Sequence, residues 1–337
     1  MSGILEYMDV VVRRLQDSDL EEADKILRLS FGTFMGLADP MTCFGDADYV
    51  KTRFHADPDL TIAAEVNGRL VGFNFITNWG SVGFFGPLCI HPEFWNKGIA
   101  NILLSPTMDL FTKMNIRYAG LFTFAHSTKH IHLYQKYGFW PRFLTAIMSK
   151  NIKDVPETKE ETENNATKGK KHFIKRFSEI SKDKQVSILE DCLHLTNYIY
   201  EGLDLRNEIR ATHNQKLGDT IVLYDNMHRD EKAFGLAVCH YGAGTEAGSD
   251  ACYIKFGAVL PSEDAKGKFV ELLSAVKQLA SEKGISKINA GVNMERHNAV
   301  KIMLNNGFKT DLQGVSMYKP NEQGYNSPNA YVIDDMR

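Results

Sequence analysis

The chain has 337 residues with a formal net charge of −3, 43% hydrophobic and 24% charged, which suits two globular domains and excludes a generic nucleic-acid binder with its basic surface. No run approaches the ~18 apolar residues of a membrane span. An early acid stands where a signal peptide would carry its apolar core, so a cytoplasmic protein without membrane or nucleic-acid partners is expected.

Hydrophobic periodicity gives the elements in chain order. A strand at 10–15 precedes a helix with Asp17 as N-cap and Leu20, Ala23, Ile26, Leu27 and Ser30 on one face. A loop rich in Gly, Pro and Asp leads to a short helix at 47–54. Strands at 60–66 and 70–77 flank Asn67-Gly68, a strong hairpin signal. A strand at 82–90 enters a glycine turn, then a helix to Met114 that Pro106 should kink. Strand 118–125, helix 128–137 and strand 139–148 follow. Residues 151–171 lack aromatics and are dominated by Lys, Glu, Thr and Asn, the composition of a linker.

A similar order returns beyond it. Strands at 173–177 and 220–224 bracket a long helical region; strands at 233–239 and 252–260 and a helix at 267–282 come next. Strand 286–292, a helix to Asn306 and strand 308–318 complete the series. The tail after Pro320 has weak pattern, consistent with disorder or with packing across the other domain. Five scattered cysteines (Cys43, Cys89, Cys192, Cys239 and Cys252) form no Cys-x-x-Cys pair, as in a reducing compartment, with Cys89 and Cys239 in apolar runs.

The two series are copies. Pro92 and Gly138 are 46 residues apart, as are Pro261 and Gly307, so one offset of 169 aligns Pro, Lys, Gly, Leu-Leu and Gly-Phe without a gap. The expected organisation is a first domain at 1–150, a linker at 151–171, a second domain at 172–320 and a tail at 321–337.

Leu88-Cys89-Ile90-His91-Pro92, then Lys97-Gly98-Ile99-Ala100, then Leu133-Tyr134-Gln135-Lys136-Tyr137-Gly138-Phe139 resembles the GNAT superfamily of acetyl-CoA-dependent N-acyltransferases. The resemblance is strong over 10–150 and weak over 172–319. It implies an α+β, α/β/α layered fold: two tandem domains, each a mixed, mostly antiparallel twisted sheet flanked by helices. It also implies acetyl-CoA as cosubstrate. The amides of Lys97, Gly98, Ile99, Ala100 and Asn101 would receive the coenzyme A pyrophosphate at a helix start, and the main chain of Leu88 and Ile90 the pantetheine arm. Tyr134 matches the family's general acid, or packs on its helix. Ser127 stands where relatives carry a cofactor-contacting asparagine, and Trp95 replaces their usual Arg or Gln.

The second copy departs where chemistry is needed. Phe269 matches Ala100, Met303 matches Tyr134 and Asp264 matches Trp95, so the second domain reads as degenerate. For the general base, His126 at the end of the fifth strand and Glu65 on the second are the candidates. His126, His130 and His132 lack a completing Cys or carboxylate, so no metal site is expected. In relatives the first helices build the acceptor pocket; here that means Phe31, Phe34, Met35, Asp39, Asp46 and Asp48. Aromatics with acids suit a cationic amine, and equally suit a half-buried helix with a solvated loop.

The expected activity is acetyl transfer to a small-molecule or peptide primary amine by direct attack, in a monomer or homodimer. The alternative is a non-catalytic CoA or acyl-CoA sensor or scaffold.

Overall fold

A computed structural model describes residues 9–152, 172–225 and 232–337; the expected linker lies almost wholly outside them. In the first half the order is β1 (Val10–Arg13), α1 (Leu20–Met35), α2 (Val50–Ala56), β2 (Thr61–Val66), β3 (Arg69–Trp79) and β4 (Val82–Ile90). Then come α3 (Ile99–Lys113), β5 (Tyr118–Phe124), α4 (Thr128–Gln135) and β6 (Trp140–Asn151). The second half has β7 (His172–Arg176), α5 (Lys182–Ile199), α6 (Arg206–Asn214), β8 (Gly218–Asp225), β9 (Lys232–Gly242) and β10 (Gly248–Val259). It ends with α7 (Ala265–Glu282), β11 (Lys287–Asn293), α8 (His297–Asn305), β12 (Lys309–Lys319) and β13 (Tyr331–Ile333).

Local chemistry explains the boundaries that shifted. The Asp19 carboxylate accepts from the Gln16 amide at 2.8 Å, closing a turn at Asp17–Asp19, so α1 starts at Leu20 and not just after Asp17. Its apolar face, Leu20, Ala23, Ile26 and Leu27, packs on Phe73, Phe75 and Cys89. On the opposite face of the sheet, Leu103, Leu104 and Phe111 of α3 and Tyr134 of α4 pack on Val71, Phe85 and Leu121. Each such fully buried large side chain contributes about 1.5–3 kcal/mol, which makes these two layers the foundation of the first half. Helix α3 continues through Pro106.

Among the described residues all strands join one mostly antiparallel sheet, with β13 attached to β10 beside the main path β1-β2-β3-β4-β5-β12-β6-β11-β10-β9-β8-β7. The repeat is visible in its registers. Val82 pairs with Tyr118 and Ala251 with Lys287, both in parallel and both related by the offset of 169. The last strand of each half crosses over: β12 pairs with β5 (Gly314 opposite Phe124), and β6 pairs with β11 (Thr145 opposite Asn293). Residues Gly314 and Thr145, equivalent under the offset, face one another where β12 meets β6. Each half therefore completes the other's sheet. The tail is ordered and contributes β13, in line with the expectation that it packs across the molecule.

Candidate functional site

The parallel pairing of β4 and β5 runs from Val82 opposite Tyr118 to Phe84 opposite Gly120 and then stops. A bulge at Gly86-Pro87 breaks the β3–β4 register there, and the two strands part. Beyond the bulge the ladder is regular, with the His91 amide donating to the Val71 carbonyl at 2.8 Å. Alternation then directs the main chain of Cys89 toward β3 and that of Leu88 and Ile90 into the gap facing β5. The Ile90 carbonyl is already taken, since the Trp95 indole donates to it at 2.7 Å. The groups left facing the gap are those of Leu88 and the Ile90 amide. Trp95 thus does more than pack on the turn, and only its indole N–H hinted at that.

The turn itself is built from two left-handed residues, Asn96 at φ 63° and Gly98 at φ 83°. Gly98 is the N-cap of α3, and a Cβ placed on it would meet nothing within 4 Å. The amides of Ile99 and Ala100 belong to the first helical turn, which has no intrahelical acceptors. The Asn101 amide differs from expectation: it turns back onto the Gly98 carbonyl at 3.0 Å. Lys129 donates to the Asn96 side chain at 2.6 Å, and the Tyr137 hydroxyl donates to the Asn101 carbonyl at 3.0 Å, so α4 and the turn that follows it brace the glycine turn. Lys97 lies over the Phe94 ring at 4.8 Å. Open amides, a helix N-terminus and lysines make a cradle that fits a pyrophosphate.

Tyr134 is buried, with its ring 5.6 Å from that of Phe85. Burial, and the neighbouring Cys89, push its phenol above the ordinary tyrosine range, so it stays protonated at neutral pH. Burial also pushes the Cys89 thiol up to about 12, leaving almost no thiolate to act as a nucleophile. Ser127 caps α4, accepting from the His130 amide at 3.5 Å.

Phe31 and Phe34 meet Phe124 at the end of β5, with centroids 6.2 and 4.9 Å apart. His126, which is exposed, stacks on Phe34 at 5.9 Å, and His130 lies 5.0 Å from the same ring. Burial first, then Lys129 and His126, lower the His130 pKa. Phe31 continues to Phe44 at 5.3 Å and Phe44 to Tyr49 at 5.2 Å, giving a wall of rings along one side of the gap. Met35 is exposed at its rim.

The acids expected beside those rings are engaged elsewhere. Asp39 accepts from the Met41 amide at 3.0 Å as a local cap. Asp46 accepts from the Ser249 amide at 3.0 Å; the Asp48 carboxylate accepts from the Lys51 amide at 2.8 Å while its own amide donates to the Thr245 carbonyl at 3.0 Å, so both residues anchor the β9–β10 loop of the other half. Glu65 is paired with Arg13 at 2.8 Å on the outer strands, away from the gap. Short polar side chains in a loop look alike in sequence whether they bind a ligand or a backbone amide.

Sequence reading also missed Arg53, buried in α2. It donates to the Gly86 carbonyl at 2.5 Å and pairs with Glu246 at 3.1 Å. Lys255 reaches Glu246 at 2.8 Å and Glu208 at 3.1 Å, and Trp79 donates to Glu208 at 3.2 Å. Burial alone would raise the Glu246 pKa, but Arg53 and Lys255 outweigh it and hold the carboxylate below its ordinary range. The bulge that parts β4 from β5 is therefore held by charges from both halves.

Residues 26–139 match the model of the Acetyltransferase (GNAT) family. A 59-residue stretch is 39% identical to an acetyltransferase of Pectobacterium atrosepticum, spanning 17% of this chain and 40% of that relative's length. The fold is similar to that of a protein from Pyrococcus horikoshii described as a candidate acetyltransferase, at TM-score 0.64 and 11% identity, covering 98% of this chain and 96% of that one. It is also similar to a tandem GNAT protein from the clavulanic acid biosynthesis pathway, at TM-score 0.56 and 12% identity, over 92% of this chain and 98% of that one. The chain thus carries a match to the GNAT acetyltransferase family over residues 26–139, and its fold is similar throughout to that of a tandem GNAT protein.

Proposed function

We propose that the first half is an acetyl-CoA-dependent N-acetyltransferase acting on a primary amine by direct attack. The observation carrying this reading is the pairing of an open strand edge at Leu88 and Ile90 with an open left-handed turn at Gly98. Acetyl-CoA supplies an activated thioester when bound. The amides at 97–100 receive its pyrophosphate, and the groups of Leu88 and the Ile90 amide accompany its pantetheine arm and thioester carbonyl. Tyr134, kept neutral by burial, donates a hydrogen bond to the sulfur as the C–S bond breaks and the new C–N bond forms. Cys89, protonated and buried, takes no part as a nucleophile, which favours direct attack over an acyl-enzyme.

His126 stands on the aromatic wall as the acceptor of the amine's proton, and Phe31, Phe34 and Met35 line the acceptor's approach. With the Asp39, Asp46 and Asp48 carboxylates committed to the backbone amides of Met41, Ser249 and Lys51, an amine carried on an apolar or aromatic body fits this wall better than a polycation. The test is thiol release from acetyl-CoA across a panel of amines. Turnover with aryl-alkyl amines above polyamines is expected; tight CoA binding with no turnover on any amine would overturn the enzyme reading in favour of a sensor.

A further inference from the structure

The second half has the same splayed strands, and something already lies between them. The parallel pairing of β10 with β11 ends at Ile254 opposite Ala290, after which the two strands part as β4 and β5 do. The Leu260 amide donates to the Phe234 carbonyl at 2.8 Å on β9, so alternation turns the main chain of Val259 and Gly257 to the other side. Under the offset of 169 these are the equivalents of Ile90 and Leu88. They pair with Tyr331 and Ile333 of β13. The chain's own strand thus bonds the groups whose counterparts face the gap in the first half.

The neighbours of β13 agree position by position. Tyr331 packs 5.5 Å from Phe269, the counterpart of Ala100. Ile333 shares a core with Met303, the counterpart of Tyr134. Arg296, the counterpart of Ser127, is fully buried and donates to the Val332 carbonyl and the Asp334 carboxylate, both at 3.0 Å. The phosphate turn is also gone. Gly267 lies inside α7, which starts at Ala265, and the Lys268 amide is spent on the Asp264 carbonyl at 3.0 Å.

Past β13 the chain crosses to the first half. Asp335 accepts from the Tyr253 hydroxyl at 3.1 Å and packs on Gly291. Met336 lies over Gly120, at the last β4–β5 pair before the gap. The main-chain oxygen of Arg337 accepts from Arg53, the residue that holds Gly86.

We propose that residues 331–337 are the permanent occupant of the second half's pantetheine slot, and that through Met336 and Arg337 they position the first half's gap at Gly120, Arg53 and Gly86. This rests on the acetyl-CoA reading of the first half and gives the second a role in it: a filled slot serving as a brace. Met336 and Arg53 are then positioning residues.

The test uses the full chain. Calorimetric titration of the unmodified protein with CoA should give one site per chain, and hydrogen exchange should show 331–333 protected with or without CoA. Ile333→Pro removes an amide donor and should speed exchange around 257–259, lowering kcat for acetyl transfer roughly tenfold with little change in CoA affinity; Ile333→Val should restore both. Met336→Ala, which leaves the β13 pairing intact, should lower kcat with exchange at 331–333 unchanged, and keeps the proposal testable if the proline variant fails to fold. A second CoA site in the unmodified chain, CoA-driven loss of protection at 331–333, or an unchanged kcat in both variants would overturn it. Protection at 331–333 with no CoA bound anywhere would defeat the reading of the first half while upholding the strand's place in the second.

Discussion

Gly98→Ala, set against Gly267→Ala, tests which copy of the turn binds phosphate. Gly98 sits at φ 83°, where alanine costs about 1–2 kcal/mol, and its new Cβ would meet no atom within 4 Å. The whole cost is therefore torsional. Either the fold carries it, lowering stability by about 1 kcal/mol, or the turn rotates and its amides diverge. Each amide bonded to a phosphate oxygen contributes about 1.5–3 kcal/mol, so losing one should weaken CoA binding roughly 10- to 150-fold. The added methyl also stands in the space the phosphates would enter. Gly267 is helical, so alanine there gains up to about 1 kcal/mol in propensity, provided the Asp264 carboxylate, 2.5 Å from the new Cβ, swings aside. Calorimetry with CoA and thermal unfolding read both effects. Equal weakening by the two variants, or none from Gly98→Ala, would refute the assignment of the cradle to the first half.

Tyr134→Phe should lower kcat by about 10–100-fold while leaving CoA affinity and melting temperature nearly unchanged; an unchanged kcat would remove Tyr134 from the chemistry. His240 is buried, bonded to Thr212 at 3.1 Å, and burial together with Lys255 lowers its pKa to about 4. An unfolded histidine protonates near 6.5 and the folded one only near 4, so its contribution is complete above pH 6.5 and lost as pH falls across that window. The loss amounts to roughly 3 kcal/mol, and urea titrations of His240→Gln between pH 7 and 4 should show a flatter pH dependence than the parent.

Elements with strong periodicity and turn chemistry were legible from sequence; partners were not. The strand at 118–125 and its copy at 286–292 stand within a residue of β5 and β11. Their pairing with β12 and β6 was invisible, because a strand's alternation says which face is buried and nothing about which edge it joins. β13 escaped notice because Tyr331-Val332-Ile333 is a three-residue apolar run among turn formers, held by tertiary contacts. The left-handed turn at Gly98 was legible, and so were the local caps in which Asp39 and Asp48 accept from the Met41 and Lys51 amides, while Asp46 is committed to the Ser249 amide, which only the fold brings to it.

One signal was present and unread. Asn96 and Ala265 are equivalent under the offset, and they decide whether the glycine two residues on makes a turn. Asparagine tolerates the left-handed region, and Asn96 occupies it at φ 63°, ending the extended segment and letting α3 begin only at Ile99. Alanine is the best helix former, and Ala265 starts α7 three residues earlier, drawing Gly267 into the helix. The first-turn amides of the second copy then lie almost a full turn from where the first copy presents them, whatever stands at Phe269. A crowding side chain could be reversed by one substitution; a displaced helix start could not. On the acetyl-CoA reading, the second half could not present the first half's cradle without rebuilding its turn, and β13, paired to β10 beside that turn, is the structural counterpart of the gap left open in the first half.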